Sequence, residues 1–220
     1  MEQKIGYSNV IFIEELARIF FCKIYIMYNN QISAFEYVSI LVSIILGLGI
    51  TQLLSSFSDV LYHFKKVKFY WPHLIWIVFI LFLHIQDWFV TYQLKDKPVW
   101  QLWELMFILI YPISLFIVAK MLLPTNEREE ETNLKLYYFS QYALLFFVVA
   151  ISVLVSILFN IFLLNKSLLL QMHLIAFLII MLVISIKNID NEWLHKILAL
   201  IIALVALSSM VIERNEWVIK

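Results

Sequence analysis

The chain has 220 residues, 63% of them hydrophobic, and its 16 basic residues balance its 16 acidic residues. Globular chains are about 45–50% apolar, and runs of about 20 apolar residues are typical of membrane-spanning helices. The composition therefore indicates an integral membrane protein rather than a soluble enzyme or a nucleic-acid-binding protein. The single Cys22 excludes an intramolecular disulfide framework, and three glycines and four prolines argue against a turn-rich β fold.

The N-terminal segment, residues 1–34, makes a poor membrane span. Its apolar run, residues 9–28, contains the charged side chains Glu14, Glu15, Arg18 and Lys23. It also lacks the basic region and small-residue cleavage site of a signal peptide. Two interpretations stay open: an amphipathic helix on the membrane surface, or an over-called start with Met27 as the biological first residue.

The rest of the chain, residues 35–220, is predicted to form a single all-α, polytopic transmembrane domain of six helices. The predicted spans are 36–58, 70–92, 100–123, 138–163, 168–186 and 193–212. Each is long enough to cross the hydrocarbon core of a bilayer. Tyr and Trp side chains cluster at the span ends, as is typical of membrane interfaces.

The first span carries a stripe of small residues that recur every four positions. The stripe consists of Ser39, Ser43, Gly47, Thr51 and Ser55. Small side chains let helix backbones approach closely in a membrane, where lipid supplies no hydrophobic drive for association. The stripe is therefore interpreted as a helix-packing seam, toward a second copy or a partner membrane helix. A pore-lining polar face is the alternative.

The distribution of Lys and Arg predicts how the chain threads the membrane, because basic residues concentrate on the cytoplasmic side. With the start of the first span outside, the inner segments carry Lys65, Lys66, Lys68, Lys120, Arg128, Lys135, Lys187 and Lys196. The outer segments carry Lys95, Lys97, Lys166, Arg214 and Lys220. This bias predicts six spans with both termini outside.

The two halves of the chain share short similarities. Residues 38–44 resemble residues 151–157, and His73-Leu74-Ile75 recurs as His173-Leu174-Ile175. Three spans per half would give a weak 3+3 inverted repeat, a pattern of many transporters. Apolar sequences match one another readily, so six unrelated helices remain the other interpretation.

Three stretches of the first half carry a resemblance to known proteins. They are Phe35-Glu36-Tyr37-Val38-Ser39, Gly47-Leu48-Gly49 and Tyr70-Trp71-Pro72-His73-Leu74-Ile75-Trp76. Residues 34–124 resemble a group of small bacterial multi-pass inner-membrane proteins of unknown function. The resemblance implies a bacterial inner-membrane location and a start near Met27, and it implies no activity.

Polar residues within the spans form the candidate site. His84 and Asp87 are three residues apart and share one face of the second span. Glu104 lies about one turn into the third span from the outer side, His173 about one turn into the fifth, and Asn160 just before the outer end of the fourth. Four spans are thus predicted to bring polar groups to one layer of the outer leaflet.

Ionisable groups inside a membrane are costly and usually face the bundle interior, where they pair with one another. The carboxylates and imidazoles are suited to sharing protons, to binding a cation, or to a purely structural hydrogen-bonded lock. No cofactor is expected, although two imidazoles can also ligate haem or a divalent metal.

Three functions stay open. The chain carries none of the common hydrolase, metalloprotease or phosphate-binding motifs, which argues against a known enzyme class. The first hypothesis is a small ion- or proton-linked transporter or channel that uses the polar cluster. The alternatives are a non-catalytic membrane subunit that packs through the stripe and a histidine-based metal or haem protein. The sequence favours the first.

Overall fold

A computed structural model describes residues 33–124 and 132–212, which form six long helices. Their bounds are α1 Ala34–Tyr62, α2 Trp71–Tyr92, α3 Leu102–Leu122, α4 Leu134–Phe162, α5 Met172–Ile186 and α6 Glu192–Ile212. All are long and apolar enough to cross a membrane, α5 together with the short 3-10 helix Leu168–Gln171 that precedes it. The predicted all-α fold with six transmembrane helices is confirmed. The expectations for residues 1–32 lie outside the described residues.

Local sequence explains where several helices begin. Ser33 and Glu36 form a capping box at the start of α1, in which each side chain accepts a hydrogen bond from the backbone of the other. The Asn133 side chain accepts from two backbone N–H groups in the first turn of α4. Pro72 stands in the first turn of α2, where its missing N–H costs no helical hydrogen bond. These caps satisfy backbone groups that a helix end leaves without partners.

Contacts between the links assign the helix ends to two faces of the bundle. Two short strands, β1 Val67–Lys68 and β2 Thr132–Asn133, pair in parallel. Lys135 Nζ and Glu192 Oε2 lie 2.7 Å apart. The link before α2 therefore lies on the same side as the starts of α4 and α6, and we call this side the 63–70 face. The opposite side, the 93–101 face, holds the start of α1 beside the end of α2, where the Phe35 and Tyr92 rings are 6.1 Å apart.

The helices pack both against their neighbours along the chain and against more distant helices. α4 packs against α3 and α5, α1 packs against α2 and α3, and α2 also packs against α3 and α6. The larger core contains the fully buried side chains of Trp76, Tyr138, Phe146 and Met181. A second core cluster, which includes Phe35, belongs to the 93–101 face.

Candidate functional site

A polar cavity of about 350 Å³ lies between α2, α3, α4 and α5. Its wall includes the polar or charged residues Gln86, Asp87, Gln93, Tyr111, Ser156, Asn160, Lys166, Gln171 and His173. The remaining wall is apolar, with Leu83, Phe89, Val90, Phe159, Leu170 and Leu174. A concave site of this volume that combines apolar walls with convergent polar groups can bind a small molecule.

The cavity extends inward from the 93–101 face. Gln93 follows the last residue of α2 and is exposed, and Lys166 lies in the link between α4 and α5. Leu83, at the other end of the α2 wall, stands ten residues before Gln93 on the same chain segment. At a rise of 1.5 Å per residue, the α2 wall spans about 15 Å. The cavity thus reaches from this face to about the middle of α2.

Packed aromatic side chains lie between the cavity and the 63–70 face. Phe79 of α2 and Phe177 of α5 meet edge to face with their ring centroids 6.4 Å apart. One turn nearer the 63–70 face, the Trp76 and Phe146 rings are 5.0 Å apart. Both Trp76 and Phe146 are completely buried. The half of α2 nearer the 63–70 face is therefore surrounded by packed side chains.

Asp87 is the buried carboxylate of the cavity. Its side chain is 6% exposed, and Oδ2 has no hydrogen-bond partner in the described structure. A buried polar atom without a partner costs about 1–3 kcal/mol. Such an atom in a cavity wall is a place where a proton, a cation or a donor group of a solute can bind.

Two more predicted residues, Asn160 and His173, line the same cavity. Asn160 Nδ2 donates a hydrogen bond to Gln171 Oε1 at 2.8 Å, and Gln171 is itself 3% exposed. His173 is exposed and contributes to the rim. The structure therefore places Asp87, Asn160 and His173 in the wall of one cavity.

Glu104 lies outside the cavity wall and has its own partners. Its Oε1 accepts from Lys97 Nζ at 2.6 Å, and its Oε2 accepts from the backbone N–H of Gln101 at 2.9 Å. These bonds connect the 93–101 link to the first turn of α3. The two carboxylates that the sequence places at similar depth thus have different surroundings, and Glu104 is tied to Lys97 rather than to Asp87.

His84 is buried at the contact between α1 and α2, and it does not line the cavity. Its Nδ1 donates to the carbonyl of Ile80 at 2.7 Å, since a carbonyl only accepts. Its ring lies against Gly49 of α1, with Nε2 buried and without a partner in the described residues. His84 therefore faces a different helix from Asp87, although the two are three residues apart.

The stripe on α1 lies largely away from the contacts within the chain. Ser39, Ser43 and Gly47 are half-buried, while Thr51 and Ser55 are exposed. The buried face of α1 instead contains Phe35, Val38, Val42, Leu46, Gly49, Leu53, Ser56 and Val60. Ser43 does accept a 3.1 Å hydrogen bond from Trp88 Nε1 of α2. Packing of the stripe against another chain stays a prediction.

The metal and haem hypothesis gains no ligand set from the described structure. Among residues 33–124 and 132–212, no three His, Cys, Asp or Glu side chains come together in a way that could hold a metal ion. His84 and His173 lie in different places: His84 packs at the contact between α1 and α2, and His173 lies at the cavity rim. The expectation that no cofactor is bound stays a prediction, and haem or a divalent metal stays its alternative.

Sequence reasoning missed several cavity residues. Gln86, Val90 and Gln93 follow Leu83 at spacings of three and four, and all four line the cavity. Residues at that spacing share one face of a helix, so the pattern could have indicated that these side chains face the same cavity. Tyr111 and Gln171 carry no comparable signal, because each is a single polar residue whose orientation depends on neighbouring helices.

A second buried polar contact lies near the 63–70 face. Tyr138 OH donates to His195 Nδ1 at 2.8 Å, and His195 Nε2 donates to the carbonyl of Ile189 at 2.9 Å. His195 is completely buried. His73, nearby on α2, donates from Nε2 to the carbonyl of Leu122 at 2.5 Å. These bonds connect the starts of α4 and α6 to each other, α6 to the link before it, and the start of α2 to the end of α3.

The fold and the cavity together define a multi-pass helical membrane protein with a polar cavity that extends from one face. No protein-family model matches the chain, and neither a curated protein nor a solved structure is significantly similar to it.

Proposed function

We propose that this protein is a small transporter of the bacterial inner membrane, and that it moves a small polar solute together with a proton or an ion. The observation that carries the proposal is the partnerless, buried Oδ2 of Asp87 in the wall of a polar cavity between membrane helices. Ionisable side chains inside membrane spans mark substrate and ion pathways by default, because their burial is costly.

The shape of the cavity favours a transporter over an open channel. An open channel needs a continuous polar path, whereas this cavity extends from the 93–101 face and the Phe79–Phe177 and Trp76–Phe146 ring contacts pack the other half of α2. A transporter exposes its site to one side at a time. A cavity that extends from one face is what we expect of a transporter that is open to that side.

The direction of opening follows from the predicted threading. The lysine-rich links belong to the 63–70 face, which the positive-inside rule assigns to the cytoplasm. The 93–101 face and both termini would then lie outside. In this orientation the cavity takes up its solute from the exterior, which suits an importer.

The test uses purified protein in liposomes that contain a pH-sensitive dye. Potassium, sodium, small amino acids, small amines and sugars are added outside one at a time, and both the uptake of the isotope-labelled solute and internal acidification are recorded for the original protein, Asp87→Asn and Glu104→Gln. We expect one class of solute to drive acidification, Asp87→Asn to reduce it at least about tenfold, as loss of a charged hydrogen bond would, and Glu104→Gln to retain it.

Glu104→Gln is the matched control, because it also removes a carboxylate charge from a helix but lies outside the cavity wall. Size-exclusion profiles and melting temperatures show whether each variant is folded. Equal solute-driven flux in folded Asp87→Asn and in the original protein would overturn the proposal, as would the absence of flux with every solute.

A second candidate function is a membrane subunit that packs through the stripe on α1. One observation favours it: a Cβ at Gly47 would meet no atom of the described residues within 4 Å, so this position of the small-residue face has room for another helix. The subunit function requires Gly47 to contact another helix, whereas the transporter function does not. A substitution at Gly47 therefore distinguishes the two functions.

A further inference from the structure

The charges of the cavity wall lie at different depths. The wall contains one carboxylate, Asp87, and one ammonium group, Lys166. Lys166 belongs to the link after α4, beyond the helix end, whereas Asp87 stands five residues before the end of α2. At 1.5 Å per residue, Asp87 is about 7 Å inside the helix end. The negative charge is therefore deep and the positive charge is at the rim.

The groups around Asp87 suit an ammonium group. Phe89, Tyr111 and Phe159 line the same cavity, and aromatic faces attract ammonium groups. Asp87 Oδ2 is available as an acceptor for a charged N–H donor, the stronger kind of hydrogen bond.

Amide side chains occupy much of the remaining wall, with Gln86 one residue deeper than Asp87 on α2 and Gln93 at the rim. Gln86, Gln93, Asn160 and Gln171 each carry a carbonyl acceptor and an N–H donor. The Asn160–Gln171 bond uses the N–H donor of Asn160 and the carbonyl oxygen of Gln171. Such groups can hold the polar backbone of a small solute without adding charge.

We propose that the cavity binds a small zwitterion of amino-acid size, with its ammonium group at Asp87 and its anionic group toward Lys166. This inference rests on the proposed function only in taking the cavity as the solute's path. A simple anion would place its charge beside Asp87, and a simple amine would leave Lys166 without a complementary group on the solute. A volume of about 350 Å³ suits a small organic molecule.

The first experiment measures binding to the full-length protein in detergent by calorimetry. The probes are glycine, L-alanine, L-serine and β-alanine, with n-propylammonium and propionate as analogues of β-alanine that lack the carboxylate oxygens and the ammonium group, respectively. We expect at least one zwitterion to bind about tenfold or more tightly than either analogue, since n-propylammonium brings no anionic group to the rim and propionate brings no ammonium group to Asp87. Absence of zwitterion binding, or equal binding of n-propylammonium, would overturn the inference.

The second experiment assigns the two ends of the solute. Asp87→Asn is expected to weaken zwitterion binding about tenfold or more, through loss of a charged acceptor, and Asp87→Glu to restore part of it. Lys166→Gln should weaken binding of the zwitterion and leave that of n-propylammonium unchanged. Glu104→Gln, whose carboxylate lies outside the cavity wall, should bind like the original. Zwitterion binding that survives Asp87→Asn would contradict the assignment, whatever the other variants show.

The two proposals fail in different ways. A zwitterion that binds but is not taken up by liposomes supports this inference and overturns the proposed transport. Solute-driven acidification by a sugar or an inorganic ion, with no zwitterion bound, supports transport and overturns this inference.

Discussion

The ring of His84 occupies the space into which a side chain at Gly49 would project. A Cβ built on Gly49 would overlap Nε2 and Cδ2 of His84. The ring cannot swing away freely, because it is buried and Nδ1 is bonded to the carbonyl of Ile80 at 2.7 Å. The approach of α1 to α2 therefore depends on the missing side chain at position 49, whereas Gly47, two residues before it, has open space around its Cβ position.

The first prediction compares alanine at these two glycines. Gly49→Ala should lower the free energy of unfolding by about 1–3 kcal/mol, because it forces atoms into a packed contact. Gly47→Ala is the control and should be neutral or stabilising by up to about 1 kcal/mol, since alanine favours helix more than glycine does. Unfolding by sodium dodecyl sulfate in mixed micelles measures both. Equal losses at the two positions would contradict the packing assigned to Gly49.

A second prediction concerns association through the stripe. The Cβ introduced by Gly47→Leu meets no atom of residues 33–124 or 132–212 within 4 Å, so the monomer should keep its melting temperature. If the stripe packs against another copy, leucine separates the backbones and the particle becomes smaller. Mass photometry or light scattering in detergent measures this. An unchanged particle mass would remove the support for the subunit hypothesis.

The depth of the site could be predicted from the sequence, because a fixed rise per residue and short links determine how far each residue lies from a helix end. Asp87, Asn160 and His173 were placed in one layer on that basis, and they line one cavity. The six spans were predicted for a similarly simple reason, since a bilayer demands long continuous apolar helices.

The rotation of each helix about its axis could not be predicted in the same way. Glu104 has the predicted depth, but it is tied to Lys97 in the preceding link. The three-residue spacing puts His84 and Asp87 on one face of α2, yet the His84 ring packs against Gly49 of α1. Rotation is decided by packing against neighbouring helices, and a nearly uniform apolar sequence contains little information about it.

A third prediction concerns the pair formed by Lys97 and Glu104. Glu104→Gln should cost about 1 kcal/mol of stability, because it removes a 2.6 Å charge-assisted bond while keeping an acceptor for the Gln101 N–H. Lys97→Met should have a similar effect, and the double variant should lose little more than either single variant. Additive losses in this double-mutant cycle would mean that the two side chains are not coupled.

A fourth prediction tests the buried contact at the 63–70 face. Tyr138→Phe keeps the ring but removes the hydroxyl that bonds His195 Nδ1 at 2.8 Å, which leaves a buried nitrogen without that partner. The expected loss is about 1–3 kcal/mol in the free energy of unfolding. Tyr62→Phe, on a side chain that is 85% exposed, is the control and should change stability little. A neutral result for Tyr138→Phe would show that the bond does not stabilise the fold.

The last prediction concerns threading, on which the direction of the cavity depends. In a background with Cys22→Ser, single cysteines replace Lys66 in the link before α2 and Asp96 in the link after it, both of which are exposed. The lysine bias predicts that a membrane-impermeant maleimide added to intact cells labels only position 96, and that position 66 is labelled only after the membrane is opened. Position 96 also lies on the cavity's face, so its label reports which compartment the cavity faces. Labelling of position 66 in intact cells, with position 96 protected, would reverse the topology and make the cavity face the cytoplasm.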